Sequence, residues 1–258
     1  MHTRLMLNFD TRRTLPTLLL IDDDMVSREV TATVLTMSGY AVHTAVDGAR
    51  ALDMLAGGEF APDVILMDAQ MPGISGTDLI SKLRAGTRAR VFAVSGSNPP
   101  EDLAAAADGF LLKPFGVEAL EKLLEGHPLP DAPLRSSRLD LNDAVISPET
   151  VAQFRGMMSE AAVREIYSAV IADLTKRLKA LEVAIAKGDT PEIRRIGHAI
   201  KGGCGMAGAI QAARLGALFE ETPTDTESNH LDNSMALLSD LRTAARNLER
   251  MLEAELPA

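Results

Sequence analysis

Five short runs of β-branched or aliphatic residues alternate with amphipathic segments over the first half of the chain, and this alternation restricts the fold more than any other feature. Short apolar runs between turn signals are typical of buried strands, and their alternation with helices predicts a parallel sheet covered on both faces. We therefore predict a (βα)5 unit. The predicted strands are 18–21, 41–44, 64–67, 91–94 and 109–112, and the predicted helices are 25–38, 48–56, 77–85, 100–107 and 117–125.

The second half of the chain shows only helical periodicity. Ser147-Pro148-Glu149 places a capping residue before a first-turn proline and an acid, which is a helix start signal. Long apolar-periodic helices with short connections predict an antiparallel four-helix bundle, so the fold class is α/β plus all-α. The predicted helices are 148–157, 160–187, 191–205, 209–221 and 231–255.

A change of composition separates the two halves. Residues 127–143 carry three prolines and no sustained helical period, which is typical of a linker. A length of 258 residues also favours about two domains. The expected organisation is an N-terminal extension at 1–15, an α/β domain at 16–126, a linker at 127–143 and a helical bundle at 144–258.

Composition excludes several classes of function. A net charge of −10 and 3% aromatic residues argue against nucleic acid as a partner, because that binding needs a basic surface. No apolar run approaches the roughly 18 residues that span a bilayer, so we expect no membrane insertion and a soluble, cytoplasmic protein. The single cysteine, Cys204, excludes an internal disulfide.

Polar side chains stand at the ends of four predicted strands. Asp22 and Asp23 follow the first strand, Asp68 the third, Ser95 the fourth and Lys113 the fifth. The carboxyl ends of parallel strands lie on one edge of a sheet, so these side chains should converge there.

A cluster of carboxylates is repulsive unless a cation lies among them, and Mg²⁺ is the natural candidate because it prefers oxygen ligands. Lys113 can then hold one phosphoryl oxygen and the Ser95 hydroxyl another. A carboxylate is a competent phosphoryl acceptor in such surroundings, and Asp68 on the central strand is the best-placed nucleophile.

Four segments together resemble the signatures of response-regulator receiver domains: LLIDDD at 19–24, ILMDAQMPGISG at 65–76, AVSG at 93–96 and LLKPF at 111–115. The resemblance covers about half of the chain and implies a flavodoxin-like fold. It also implies a role for each matching residue. Asp68 would be phosphorylated. Asp23, Asp68 and the backbone carbonyl of Gln70 would bind Mg²⁺, and Asp22 would lie in the outer acidic pocket. Ser95 and Phe110 would be switch residues, and Lys113 would be the lysine that the family pattern contains.

An aspartate-based phosphatase is the alternative enzyme. Asp22 and Asp24 satisfy the D-x-D pattern of haloacid-dehalogenase-type phosphatases, whose nucleophile closes the first strand. That interpretation leaves the segment from Met67 to Pro72 unexplained, so we place it behind the receiver hypothesis.

His198 lies in a glycine-rich helical segment of the second half. At 100° per residue, one face should pack inside the bundle and the opposite face should expose His198 to solvent. The inner face holds Ile193, Ile196, Ile200, Gly203 and Ala207, and the outer face holds Arg194, His198, Lys201, Gly202, Gly205 and Ala209.

The glycines of this segment need a reason, because glycine inside a helix costs roughly 0.5–1 kcal/mol relative to alanine. Glycines one turn beyond His198 would clear space for a partner, while Lys201 and Arg194 would attract a phosphoryl group. The alternative is that the glycines merely allow close helix packing.

The segment from His198 to Gly202, with Gly208 downstream, resembles the H-x-x-K-G signature of histidine-containing phosphotransfer (Hpt) domains. These are four-helix bundles whose histidine carries phosphate between receiver aspartates. Gly203-Cys204 stands where such domains usually carry Ser or Ala. We expect Cys204 to be a small buried residue, with a redox sensor as the remote alternative.

The leading hypothesis is a phosphorelay intermediate that accepts phosphate on Asp68 and carries or exchanges it on His198. The expected partners are a histidine kinase and other receiver or Hpt proteins, and the linker permits docking within one molecule. The sequence has no Walker A motif and no kinase glycine-rich loop, so the chain is not expected to be the kinase. In the rival hypothesis, phosphorylation of Asp68 controls the bundle as a binding or output module.

Overall fold

A five-stranded parallel sheet forms the centre of the first unit. The computed structural model describes residues 15–58, 60–96, 99–126, 144–222 and 229–255. The strand order is β2-β1-β3-β4-β5, with β3 in the centre, so the α/β prediction is confirmed. The strands are β1 (Thr17–Ile21), β2 (Ala41–Ala45), β3 (Val64–Asp68), β4 (Arg90–Ser95) and β5 (Phe110–Leu112).

Helices cover both faces of this sheet. The alternate residues Leu19 and Ile21 of β1 pack with α2, α3 and α4, and their neighbours Leu18 and Leu20 pack with α1 and α5. This two-sided burial is why β1, β3 and β4 are continuously apolar over 18–21, 64–67 and 91–94. The helices are α1 (Met25–Met37), α2 (Gly48–Ala56), α3 (Gly76–Gly86), α4 (Glu101–Ala106) and α5 (Val117–Leu124).

The second unit is a helical bundle, as predicted. α7 and α9 each pack against both α8 and α10, so these helices close a ring of four, and the short α6 packs against α7. Ser147 caps α6 through a hydrogen bond that its side chain accepts from the amide of Thr150, and Pro148 occupies the first turn. The helices are α6 (Pro148–Met157), α7 (Glu160–Lys187), α8 (Thr190–Met206), α9 (Ile210–Glu220) and α10 (Asn229–Glu255).

Helix α1 connects the two units by packing against both. Leu35 of α1 and Tyr40, which follows the helix, belong to the sheet core. Val26, Val30 and Val34 of α1 are instead buried in the same apolar cluster as the bundle residues. The two units therefore share one continuous apolar contact across α1.

Two predictions concern segments outside the described residues, namely the linker at 127–143 and most of the extension at 1–15. The proposed domain boundaries therefore stay predictions. Within the described ranges, no helix combines the length and the apolar character needed to cross a membrane.

Candidate functional site

Three carboxylates converge at the carboxyl edge of the sheet. The ligand atoms of Asp22, Asp23 and Asp68 all lie within 4.8 Å of one another. Asp22 and Asp68 are buried, whereas Asp23 is exposed. The strand register explains the convergence, because Ile21 pairs with Met67 across the neighbouring strands β1 and β3, which makes their ends level.

Lys113 bridges two of these carboxylates. Its Nζ lies 2.8 Å from Oδ2 of Asp22 and 2.6 Å from Oδ2 of Asp68, and the lysine side chain is only 5% exposed. Burial disfavours the charged form of Lys113, but attraction by Asp68 and then by Asp22 outweighs it and holds the pKa of the ammonium above its usual value. The lysine is therefore a permanent cation in the site.

The acidic charge is nevertheless in excess. Three carboxylates face one ammonium group in this cluster. Burial, followed by repulsion from Asp68 and Asp22, raises the pKa of Asp23. A divalent cation would balance this excess, and carboxylate oxygens are the ligands that Mg²⁺ prefers, so the residues present fit such an ion.

Backbone and hydroxyl groups hold the buried carboxylates in place. Oδ1 of Asp68 accepts a 2.9 Å hydrogen bond from the amide of Gln70. Oδ2 of Asp22 accepts a 2.7 Å hydrogen bond from the Ser27 hydroxyl on α1, and its Oδ1 accepts one from the amide of Asp24 at 2.9 Å. The acidic side chains are thus oriented by the loops that follow β1 and β3.

The two predicted switch residues lie on the neighbouring strands β4 and β5. Ser95 is buried at the end of β4 and lines a second cavity of about 290 Å³ with Gln70. Phe110 at the start of β5 is half-buried and packs on the α2–α3 side of the sheet. The Lys113–Pro114 peptide bond is cis. The switching roles of Ser95 and Phe110 stay predictions.

His198 projects from the middle of α8 and is held by an acid from α9. Its Nδ1 lies 2.9 Å from Oε1 of Glu220, and Nζ of Lys201 donates a 2.9 Å hydrogen bond to Oε2 of the same carboxylate. Burial raises the pKa of Glu220, but the hydrogen bonds from His198 and Lys201 outweigh it and lower this pKa to about 2. Glu220 is therefore an anion that binds Nδ1 of His198. This leaves Nε2 of the histidine as the nitrogen available to a phosphoryl group.

His198 and Asp68 line the same cavity, of about 760 Å³, between the two units. The histidine side chain is 17% exposed, so the prediction of a solvent-exposed residue is wrong in this respect. His198 does point away from the bundle core, but the first unit covers it. The cavity is lined from both sides, by Asp23, Asp24, Ser27, Asp68, Gln70, Met71, Pro72 and Lys113, and by Pro191, Arg194, Arg195, His198, Ala199, Gly202 and Glu220.

The glycines of α8 fall into two groups. A Cβ atom on Gly197 would lie 2.5 Å from the backbone nitrogen of Glu220, so this glycine allows α8 and α9 to pack closely. Cβ atoms on Gly202, Gly203 and Gly205 would instead meet Lys113, Asp24 and Pro114, at 3.9, 3.1 and 3.8 Å respectively. Gly203 therefore faces the first unit, not the interior of the bundle as its helical position predicted.

An ion pair crosses between the units beside this cavity. The guanidinium of Arg177 on α7 pairs with Asp24, which also caps the start of α1, and with Asp173 one turn earlier on α7. The sequence places Asp24 in the LLIDDD segment and in a D-x-D pattern, but it does not identify Arg177 or Glu220 as functional residues. No local signal marks these residues, since Glu220 lies 22 positions from His198, and Arg177 lies 153 positions from Asp24.

Cys204 is buried in the bundle, as predicted. Burial raises the pKa of its thiol to about 12. A reactive cysteine needs a lowered pKa and access to solvent, so these surroundings argue against a redox role.

Comparison with known proteins agrees with this geometry. The family model for the response regulator receiver domain matches residues 18–125, and the model for the Hpt domain matches residues 165–255. The chain is 31% identical over 147 residues to the response regulator MprA of Mycobacterium avium, a match that covers 54% of this chain and 64% of that protein. MprA of Mycobacterium tuberculosis is also 31% identical, with 54% of this chain and 63% of that protein covered.

The chain thus matches less than two thirds of the length of these relatives. A solved structure of the Vibrio cholerae chemotaxis protein CheY4 is 29% identical, with a TM-score of 0.39 and coverage of 43% of this chain and 98% of that chain. Since the two family models match successive parts of the described structure, the chain contains a response regulator receiver domain followed by an Hpt domain.

Proposed function

We propose that this protein exchanges a phosphoryl group between Asp68 of its receiver and His198 of its own Hpt domain. The observation that carries the proposal is the single cavity lined by both side chains. The apolar packing of Val26, Val30 and Val34 against the bundle supports it, because it keeps α8 over the carboxyl edge of the sheet. The glycines that face the receiver support it as well, since they let α8 approach Lys113 and Asp24 closely.

On the receiver side, Asp68 would accept the phosphoryl group on a carboxylate oxygen. Lys113, already within 2.6 Å of that carboxylate, would hold a phosphoryl oxygen. Mg²⁺, held by Asp22, Asp23, Asp68 and the carbonyl of Gln70, would supply positive charge against the other oxygens. Ser95 would hydrogen-bond a further oxygen.

On the Hpt side, Nε2 of His198 would attack the phosphorus atom of the aspartyl phosphate. The new P–N bond forms as the P–O bond to Asp68 breaks, and the carboxylate leaves with the bonding electron pair. Attack places positive charge on the imidazole, which the Glu220 carboxylate at Nδ1 stabilises. The same steps in reverse return the group to Asp68.

The proposed external partners follow from these two chemistries. A histidine kinase or another Hpt protein would supply phosphate to Asp68, and another receiver would take it from His198. We place these exchanges in the cytoplasm and propose no nucleic acid partner, in keeping with the acidic composition.

The test uses a phosphorylated donor and chemical identification of the phosphorylated residue. Wild type, Asp68→Ala and His198→Ala are incubated with the donor, and their label is tested for stability in acid and alkali. Phosphohistidine is the more stable in alkali, and an acyl phosphate is rapidly hydrolysed there. We expect label on both residues in wild type and on Asp68 alone in His198→Ala.

A mixture of the two single variants serves as the control for transfer between molecules. If exchange is intramolecular, the mixture should phosphorylate His198 more slowly than wild type. Label confined to Asp68 in wild type, whichever receivers or donors are added, would contradict the proposal and leave the bundle as a regulated binding module.

A further inference from the structure

The contact between the units includes a partly buried ion pair that lies outside the acid cluster. Oδ2 of Asp24 pairs with Nη2 of Arg177, while Oδ1 of Asp24 accepts a 2.8 Å hydrogen bond from the amide of Ser27. Asp24 therefore has both carboxylate oxygens engaged, one by its own helix and one by the bundle.

Arg177 is held in position by its own helix. Its Nε pairs with Asp173, which lies four residues earlier on α7 and therefore on the same face. With Nε occupied by Asp173, Nη2 is directed at the receiver. The side chains of Asp24, Arg177 and Asp173 are 10%, 17% and 17% exposed, so the group is largely shielded from water.

Charge pairs that are largely shielded from water contribute more to selectivity than to affinity. Removing one partner leaves the other charge buried without its counterpart, which is strongly unfavourable even where the intact pair contributes little net energy. A receiver without an acid at this position would therefore dock poorly on this bundle.

We propose that Arg177 is the residue by which this Hpt domain selects its own receiver, through its pair with Asp24. The proposal rests on the transfer between Asp68 and His198 proposed above and adds the means of partner choice. Arg177 is a specificity residue and does not line the cavity that holds Asp68 and His198.

The experiment measures transfer between separate full-length chains. Donor chains carry His198→Ala and Arg177→Gln, with either Asp24 or Asp24→Asn, and are phosphorylated on Asp68 with phosphoramidate. Acceptor chains carry Asp68→Ala and Asp24→Asn, with either Arg177 or Arg177→Gln. These background substitutions keep each chain's own ion pair from competing, and asparagine retains the capping acceptor for Ser27.

Acceptors with Arg177 should take phosphate at least about tenfold faster from donors with Asp24 than from donors with Asp24→Asn. Acceptors with Arg177→Gln should show a ratio near one. Arg242→Gln, which removes an exposed pair with Glu182 within the bundle, is the matched control and should keep the tenfold ratio.

The outcomes separate the two proposals. The selectivity proposal alone would be overturned if the ratio of transfer rates from the two donors, with Asp24 and with Asp24→Asn, were the same for acceptors with Arg177 and with Arg177→Gln. Failure of wild type phosphorylated on Asp68 to label its own His198 would instead overturn the proposed function itself. Thermal unfolding by circular dichroism, and direct labelling of His198 in each acceptor with phosphoramidate, distinguish lost selectivity from a misfolded bundle.

Discussion

Glu220 is the acidic partner of His198. Its carboxylate contacts Nδ1 of His198 at 2.9 Å and is also held by Lys201. With a pKa of about 2, Glu220 is ionised throughout the usual pH range, so its effect on His198 should not vary above about pH 4.

The first prediction is that Glu220→Ala slows phosphorylation of His198 by about tenfold to a hundredfold, because the imidazole loses the anion that stabilises its charged form. Rapid-quench measurement of transfer from phospho-Asp68 checks this. The neighbouring exposed residue provides the control, since Glu221→Ala should leave the rate unchanged. Equal rates for both variants would show that Glu220 has no such role.

The second prediction concerns Cys204, whose thiol has a pKa raised from 9.0 to about 12 by burial. Above pH 9 the unfolded chain loses the thiol proton that the folded chain keeps, so the free energy of unfolding should fall as pH rises. The slope is about 1.4 kcal/mol per pH unit between pH 9 and 12.

Urea denaturation at pH 8, 9 and 10 measures this loss. Cys204→Ala should show a shallower decline over the same range, since other groups also titrate there. Parallel declines in wild type and Cys204→Ala would contradict the assignment.

At the scale of elements, α8 has to meet two different surfaces. Gly197 lies against α9, whereas Gly202, Gly203 and Gly205 lie against the receiver. Both of the reasons considered for these glycines therefore apply, each to a different part of the helix.

The third prediction is that Gly203→Leu slows intramolecular transfer about tenfold or more, because overpacking costs roughly 1–3 kcal/mol. Its side chain would be directed at Asp24 and Val26, which already lie 3.1 and 3.4 Å from a Cβ atom at this position. Transfer from Asp68 to His198 in single-turnover experiments is the readout.

Gly156→Leu is the matched control for this substitution. It makes the same change in helix α6, where nothing lies within 4 Å of a Cβ atom. Its transfer rate should equal that of wild type, and an equal effect of the two leucines would contradict the assigned role of Gly203.

The elements were largely predictable, and the reason is local. Each strand was predicted to within a residue at either end, because apolar runs of buried strands stand out between polar turns. The convergence of Asp22, Asp68 and Lys113 followed from parallel topology alone. The partners of His198 and Asp24 were not predictable, because they depend on which helix faces lie opposite each other.

The exposure of His198 shows the same limit. Helical periodicity correctly places it on the face away from Ile193, Ile196 and Ile200. Periodicity cannot say what covers that face, and here the receiver does. A pattern within one helix reports the direction of a side chain but not its surroundings.

For the whole molecule, the packing of α1 against the bundle should couple the two domains. The fourth prediction is that Val30→Asp separates them without unfolding either, because an unpaired carboxylate in this apolar contact costs several kcal/mol. We expect a larger radius of gyration in small-angle scattering and two calorimetric transitions in place of one.

Met37→Asp is the control on the same helix, since Met37 is 47% exposed. It should behave as wild type in both measurements. An unchanged radius and a single transition for Val30→Asp would show that other contacts hold the domains together.

The cavity shared by Asp68 and His198 also has a consequence for how the proposed exchange should depend on protein concentration. Because the two residues belong to one docked molecule, their exchange needs no diffusional encounter and should be first order at any dilution. Arrival of phosphate from a separate donor remains second order. At a low concentration of this protein, phosphate would therefore arrive slowly from the donor. Its exchange between Asp68 and His198 would be as fast as at a high concentration.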